Sequence, residues 1–229
     1  MLLVGLSVML YPIVSDWWNS KVQTRAVENY NKIVAEMDDD TAEKLIQQAR
    51  DYNEKLFHTK SSIVNADTVE GYDDILNISD TGVMGYISIP FIKVELPIYH
   101  GTSEEVLNIA AGHLKGTSFP VGGTNTHAVI SAHRGLPSSK LFTDLDKLVV
   151  GDIFTINILG ESYTYEVEEI LIIKPDEIDK LEIIPNGDYV TLMTCTPYGV
   201  NTHRLLLRSH RIETQQEYDA RVPADATQV

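Results

Sequence analysis

A chain of 229 residues with 43% apolar side chains can supply one domain with its own core, plus extensions. The net charge of −15 excludes nucleic acid as a general partner, because phosphate binding relies on clustered Lys and Arg, and it disfavours anionic lipid surfaces. A single cysteine excludes an intrachain disulfide and a multi-cysteine metal site.

Residues 1–14 are almost entirely apolar but too short for a bilayer core, which needs roughly 20 residues. They lack the basic flank of a signal peptide. A trimmed membrane helix, a start-site artefact and a packing segment all fit, and the first is favoured. Trp17 and Trp18 follow, where aromatic rings suit a membrane–water interface or a packing pair at a helix start.

Residues 15–56 read as a helical extension. Asp16 is a candidate cap for a helix with Val22, Ala26, Tyr30, Ile33, Val34 and Met37 on its apolar stripe. Asp40, with Glu43 three residues on, reads as a capping box for a second helix. Its face carries Ala42, Leu45, Ile46, Ala49, Tyr52 and Leu56. Residues 57–81 show no sustained period and read as a long loop with one turn at Tyr72–Leu76.

From Gly82 the pattern becomes β-rich. Met84–Ile89, Val94–Ile98, Ala128–Ser131, Ile153–Leu159, Tyr163–Ile173, Tyr189–Cys195 and Arg204–Arg211 read as strands. Pro97 marks its strand as short or an edge. Glu104–Ala111 and Ser138–Leu148 read as helices, the latter with Leu141, Phe142, Leu145 and Leu148 on one face. Pro175–Ile184 reads as a connection. The polar tail, 213–229, is expected to fray. Many short strands with few helices make a mainly β, mixed barrel with short helical insertions and an N-terminal helical extension.

The stretch TLMTCTPYGVNTHRLLLR organises the chemistry. Cys195 ends one apolar strand, and Arg204 opens the next across a Pro/Gly turn. A hairpin puts a thiol and a guanidinium on one groove. His133, in SAHRG, follows another apolar strand and is the best-placed base for the thiol. Alone, each residue has a plainer role: a buried small apolar group, a satisfied histidine, a surface charge. Among the other histidines, His203 is the strongest rival, but alternation turns it away from the face of Arg204. No phosphate loop or zinc-spaced cluster is present.

TLMTC followed by Arg204, with the upstream SAHRG, resembles the sortases. GVMGYISIP, LPIYHGTSEEVLNIAAGHLKGTSFPVGG and THAVISAHRGLPSSKLFTDLDKL are similar to the class C, pilin-polymerising branch, over about Gly82 to Arg211. The resemblance implies a sortase β-barrel at 82–212 and a membrane anchor near the N-terminus. It implies a lid at 57–81, usually held by an Asp-Pro-aromatic motif. No such tripeptide occurs here, so Asp67 and Tyr72 are the lid candidates, with Ile63, and closure through other or weaker contacts is expected. It further implies a cysteine transpeptidase, with Cys195, His133 and Arg204 catalytic and no metal or organic cofactor. The substrate would be an LPxTG-type sorting signal, joined to a pilin lysine on the outer face of a Gram-positive cell membrane. A housekeeping sortase acting on peptidoglycan and a non-catalytic pilin-binding scaffold are the alternatives.

Overall fold

A computed structural model describes residues 2–78 and 81–212. The tail expected to fray lies outside them. Two helices lead into eight strands: α1 (Leu2–Ala35), α2 (Asp39–Phe57), β1 (Val83–Ile89), β2 (Val94–His100), a one-turn helix α3 (Glu104–Leu107), β3 (Ala111–His113), β4 (Thr126–Ser131), β5 (Ile153–Ile158), β6 (Glu161–Ile173), β7 (Asp188–Thr196) and β8 (His203–Ile212). The strands close into a barrel in the order β1-β2-β3-β4-β7-β8-β6-β5, mainly β as the pattern predicts.

Pro97 stands where β2 has a neighbour on one side only, a local edge as its sequence signal implies. It pairs with Tyr86 of β1, while the parallel ladder to β3 begins only at Ile98. A residue without an N–H is tolerated where one neighbour is missing. The alternating positions Val190, Leu192, Leu205 and Leu207 face the interior with Ile87, Ile98, Ile130, Phe154 and Tyr165.

α1 runs unbroken through Asp16, so Asp16 does not cap it. Its carboxylate instead accepts the backbone N–H of Lys140 at 2.8 Å. The buried face of α1 is Gln23, Val27 and Tyr30, one position away from Val22, which is exposed. Tyr30 fixes that rotation: its hydroxyl donates to Met84 O and accepts from Leu159 N, each at 2.9 Å. The second helix starts two residues earlier than an Asp40 cap suggests. Asp38 is its cap, extended and accepting from Thr41 N at 2.9 Å, and the capping box does not form. Ile46, Ala49, Tyr52 and Leu56 are buried as the periodicity requires, joined by Asn53, which pairs with both backbone polar groups of Phe119.

The helix expected at Ser138–Leu148 is absent. Turns replace it, with one 3-10 turn at Leu145–Lys147, although Leu141, Phe142, Leu145 and Leu148 are all buried. Two of its donors are committed elsewhere, Phe142 N–H to His133 O at 3.1 Å and Lys140 N–H to Asp16. Among the described residues, no helix is long and apolar enough to cross a membrane.

Candidate active site

β7 lies between β4 and β8, and that position assembles the site. In the antiparallel β7–β8 ladder Cys195 is directly opposite Arg204 and Thr196 opposite His203. Opposed residues share a face. Leu205 and Leu207 point into the core, so Cys195 and Arg204 point outward and His203 does not.

On the other side, β4 runs parallel to β7 in register up to Ser131 beside Met193. The pairing continues past the strand: Ala132 N–H donates to Met193 O at 3.2 Å, and the Thr194 hydroxyl donates to Ala132 O at 2.9 Å. His133 therefore comes off β4 alongside Cys195, and its own carbonyl is held by Phe142 N–H. The three expected site residues thus converge at one end of three adjacent strands, each half-buried.

Burial lowers the pKa of His133, and the negative charge of Glu104, at the start of α3, works against that shift. The Arg204 Nη1 donates to the carbonyls of Asn201 at 3.3 Å and His203 at 3.1 Å, which orients a five-donor fork at the strand end. A half-buried thiol with a base on one side and a fixed cation on the other is suited to nucleophilic acyl transfer. Among the described residues there is no group of three or more His, Cys, Asp or Glu side chains placed to hold a metal.

The same outer face carries a small apolar floor: Val129, Ile173, Leu181 and Leu206, with Leu114, Leu171 and Met193 against it. Met193 and Leu206 are two positions along their strands from Cys195 and Arg204. Ile63, from the 57–81 segment, packs on this floor. That segment passes so close to Gly116 that a Cβ there would lie 2.6 Å from Ser62 O, and Gly116 also has φ +90°.

The two lid candidates differ sharply. Asp67 is an exposed partner of Lys115 at 2.6 Å. Tyr72 is buried, stacked on Phe119 and His113; its hydroxyl accepts Gly101 N–H and shares its proton between His113 Nδ1 and His113 O, all at 2.9 Å. His113 Nε2 donates to Ser118 O at 2.8 Å. The segment is tied further by His100, whose ring nitrogens face Ile75 O and Gly82 O at 2.7 and 2.9 Å. Sequence reasoning singled out none of Glu104, His100, His113 or Gly116 for these roles, because their partners lie in other segments and no local pattern announces them.

The sortase domain family matches residues 87–212. Among solved structures, sortase C1 of Streptococcus agalactiae is 49% identical, with a TM-score of 0.76, covering 83% of this chain and 100% of that one. Sortase C of Clostridium perfringens SM101 is 41% identical with a TM-score of 0.71, covering 83% and 99%. A lid mutant of the S. agalactiae protein aligns with a TM-score of 0.74 at 38% identity, covering 83% and 98%. Sortase A of S. agalactiae is 32% identical over 117 residues, a match that spans 50% of this chain and 47% of that relative. With the barrel, the Cys195–Arg204 pair and the flanking His133 in place, these matches establish that the chain belongs to the sortase family.

Proposed function

We propose that the protein is a cysteine transpeptidase that cleaves an LPxTG-type sorting signal between Thr and Gly and joins the acyl group to a pilin lysine. The observation that carries this reading is the juxtaposition of Cys195 with Arg204 across the β7–β8 ladder and with His133 at the end of β4. The Cys195 thiolate attacks the Thr carbonyl. Negative charge develops on the carbonyl oxygen, and the Arg204 fork donates to it. Protonated His133 gives its proton to the departing glycine amine as the C–N bond breaks, leaving a thioester on Sγ and a neutral imidazole. The lysine amine then attacks the thioester carbon and loses a proton to His133. The C–S bond breaks, and thiolate and imidazolium are restored. No cofactor enters this cycle.

The apolar floor beside Cys195 suits the Leu and Pro of such a signal. Ile63 stands on that floor, which supports reading 57–81 as a lid anchored by Tyr72. The similarity to sortase C1 structures, one of them the sortase C1 of a pilus island, favours pilin joining over peptidoglycan anchoring. The exposed collar of Met9, Tyr11, Ile13, Val14, Trp17 and Trp18 on α1 supports attachment at the outer face of a Gram-positive cell membrane. The test is mass spectrometry of the purified chain with an LPxTG-type peptide. A covalent adduct on Cys195 that disappears on adding amine is expected. Release of the peptide without any adduct, or by Cys195→Ala, contradicts the reading.

A further inference from the structure

We infer that the free edge of β6 is a dimerisation surface, on which a second copy of this chain pairs its own β6 in an antiparallel register centred on Leu171. This does not depend on the transpeptidase reading. β6 outruns its neighbour on one side. The β5–β6 ladder starts with Ile153 opposite Glu166. The loop before β5 adds only Gly151 N–H to Val167 O at 2.9 Å and Val167 N–H to Asp152 O at 2.8 Å. On its other side β6 stays paired with β8 up to Ile173 opposite Arg204. Residues 168–173 therefore have one neighbouring strand, and among the described residues their backbone groups bond to nothing but β8. Alternate N–H and C=O groups of such a strand point away from its partner and form a template for another strand.

The side chains suit the same use. Ile170 and Ile172 lie opposite Leu207 and Leu205, on the face that is interior elsewhere in the barrel, but β5 ends short of them. Ile172 is therefore 65% exposed and Ile170 39%, and the exposed Val149 and Val150 continue the patch next to the Gly151–Val167 bond. Natural edges are usually blunted by charge or proline within them. Here the charges stand only at the ends: Glu168 and Glu169 precede Ile170-Leu171-Ile172-Ile173, and Lys174 follows. Lys174 N–H is taken by Glu177 Oε2 at 2.7 Å, which turns the chain out of the sheet and ends the edge.

That order is complementary to itself. Centred on Leu171, antiparallel pairing sets Ile170 opposite Ile172 of the second copy and Glu168 opposite its Lys174, each contact made twice by the two-fold axis. A one-residue slip turns the isoleucines of the two copies to opposite faces, and a two-residue slip sets an isoleucine against Glu168 or Lys174. Glu168 Oε2 lies 3.4 Å from His210 Nδ1, but its side chain is still 50% exposed and within reach of an incoming ammonium. The axis stands perpendicular to the sheet, so the outer face with Cys195 and Arg204 runs on into the second copy. Two strands on each side separate the thiols from the axis, a spacing on the order of 25 Å between them. An extended strand of a different chain is the other occupant such an edge can take. The self-complementary charge order favours a second copy.

A short edge on each copy makes a small interface, so a monomer–dimer equilibrium is expected rather than a permanent dimer. Sedimentation equilibrium of the full chain over a concentration series measures it. Ile172→Lys, at an exposed position, should remove the dimer. Glu168→Lys and Lys174→Glu each set like charges opposite one another at both ends and should raise the dissociation constant at least tenfold. The two together should restore it to within about threefold of the parent. Leu171→Cys in the Cys195→Ala chain should give a disulfide-linked dimer on mild oxidation, because only the residue on the axis meets its own copy. A parent that stays monomeric throughout overturns the assignment. So does a dimer that survives Ile172→Lys and both charge reversals, which would place self-association on the exposed apolar residues of α1. Failure of the double reversal to restore the dimer, or of Leu171→Cys to cross-link, overturns the Leu171 register. A monomer that instead captures an extended isoleucine-rich peptide, and loses it in Ile172→Lys, assigns the edge to another chain.

Discussion

Cys195 and Arg204 face each other across the β7–β8 ladder, so the thiol and the guanidinium share one face of the barrel without any contribution from a loop. Strand pairing holds their Cα atoms at a fixed spacing, and a donor placed this way needs no reorganisation when charge develops. Arg204→Ala should lower the rate of acyl-enzyme formation by about 10²–10³. Arg204→Lys should recover little, because one ammonium cannot reproduce the fork. Stopped acylation followed by mass spectrometry measures both. Near-parental acylation by Arg204→Ala would assign the role elsewhere.

His133 should titrate below the ordinary histidine value, because burial disfavours its charged form, with Glu104 opposing the shift. Glu104→Gln removes that opposition and should move the midpoint lower still. The imidazolium is the acid in acylation, and its population falls as pH rises through the pKa. The basic limb of the acylation profile should therefore move to lower pH in Glu104→Gln. NMR titration of His133 and the pH profile of acylation check the same shift independently. An unmoved midpoint would show that Glu104 does not act on His133.

Tyr72, not Asp67, should control access to Cys195. Tyr72→Phe leaves Gly101 N–H and His113 Nδ1 without their buried partner, at a cost of about 1–3 kcal/mol. Asp67 loses only an ion pair in which its own side chain is 92% exposed, worth about 1 kcal/mol at most. A small thiol reagent should label Cys195 roughly ten- to a hundredfold faster in Tyr72→Phe, and only a few-fold faster in Asp67→Ala. The reverse order would move the anchor to the ion pair.

Two buried histidines should make the fold acid-sensitive. Burial holds His113 and His127 each at about 4, against an ordinary value of 6.5. Between those values the unfolded chain binds more protons than the folded one, so stability rises with pH. The contribution is complete above about pH 6.5 and is lost as pH falls toward 4. It is on the order of 3 kcal/mol for each ring. Urea unfolding at pH 7.5, 6 and 5 should show falling stability. A flat profile over that range would mean that the rings are not held neutral.

The sequence by itself determined the strand faces, the buried face of α2 and the hairpin that opposes Cys195 to Arg204. Each depends on a local period of apolar residues or a short turn, and such periods survive any tertiary arrangement. Alternation alone also separated His203 from Arg204. What only the tertiary structure decided is where distant backbone groups find partners. His133 reaches Cys195 because β4 pairs in parallel with β7, a strand far along the chain. The 138–148 segment has helical periodicity, but the N–H groups of Phe142 and Lys140 go to His133 O and Asp16, and the others close short turns instead of a helix. α1 continues through Asp16, whose carboxylate accepts Lys140 N–H and caps no helix end. The 57–81 segment is tied down by Tyr72, which is buried and bonded to His113 and Gly101. Buried hydrogen-bonding groups must be paired, but the choice among many possible distant partners is made by packing, which no single stretch of sequence encodes.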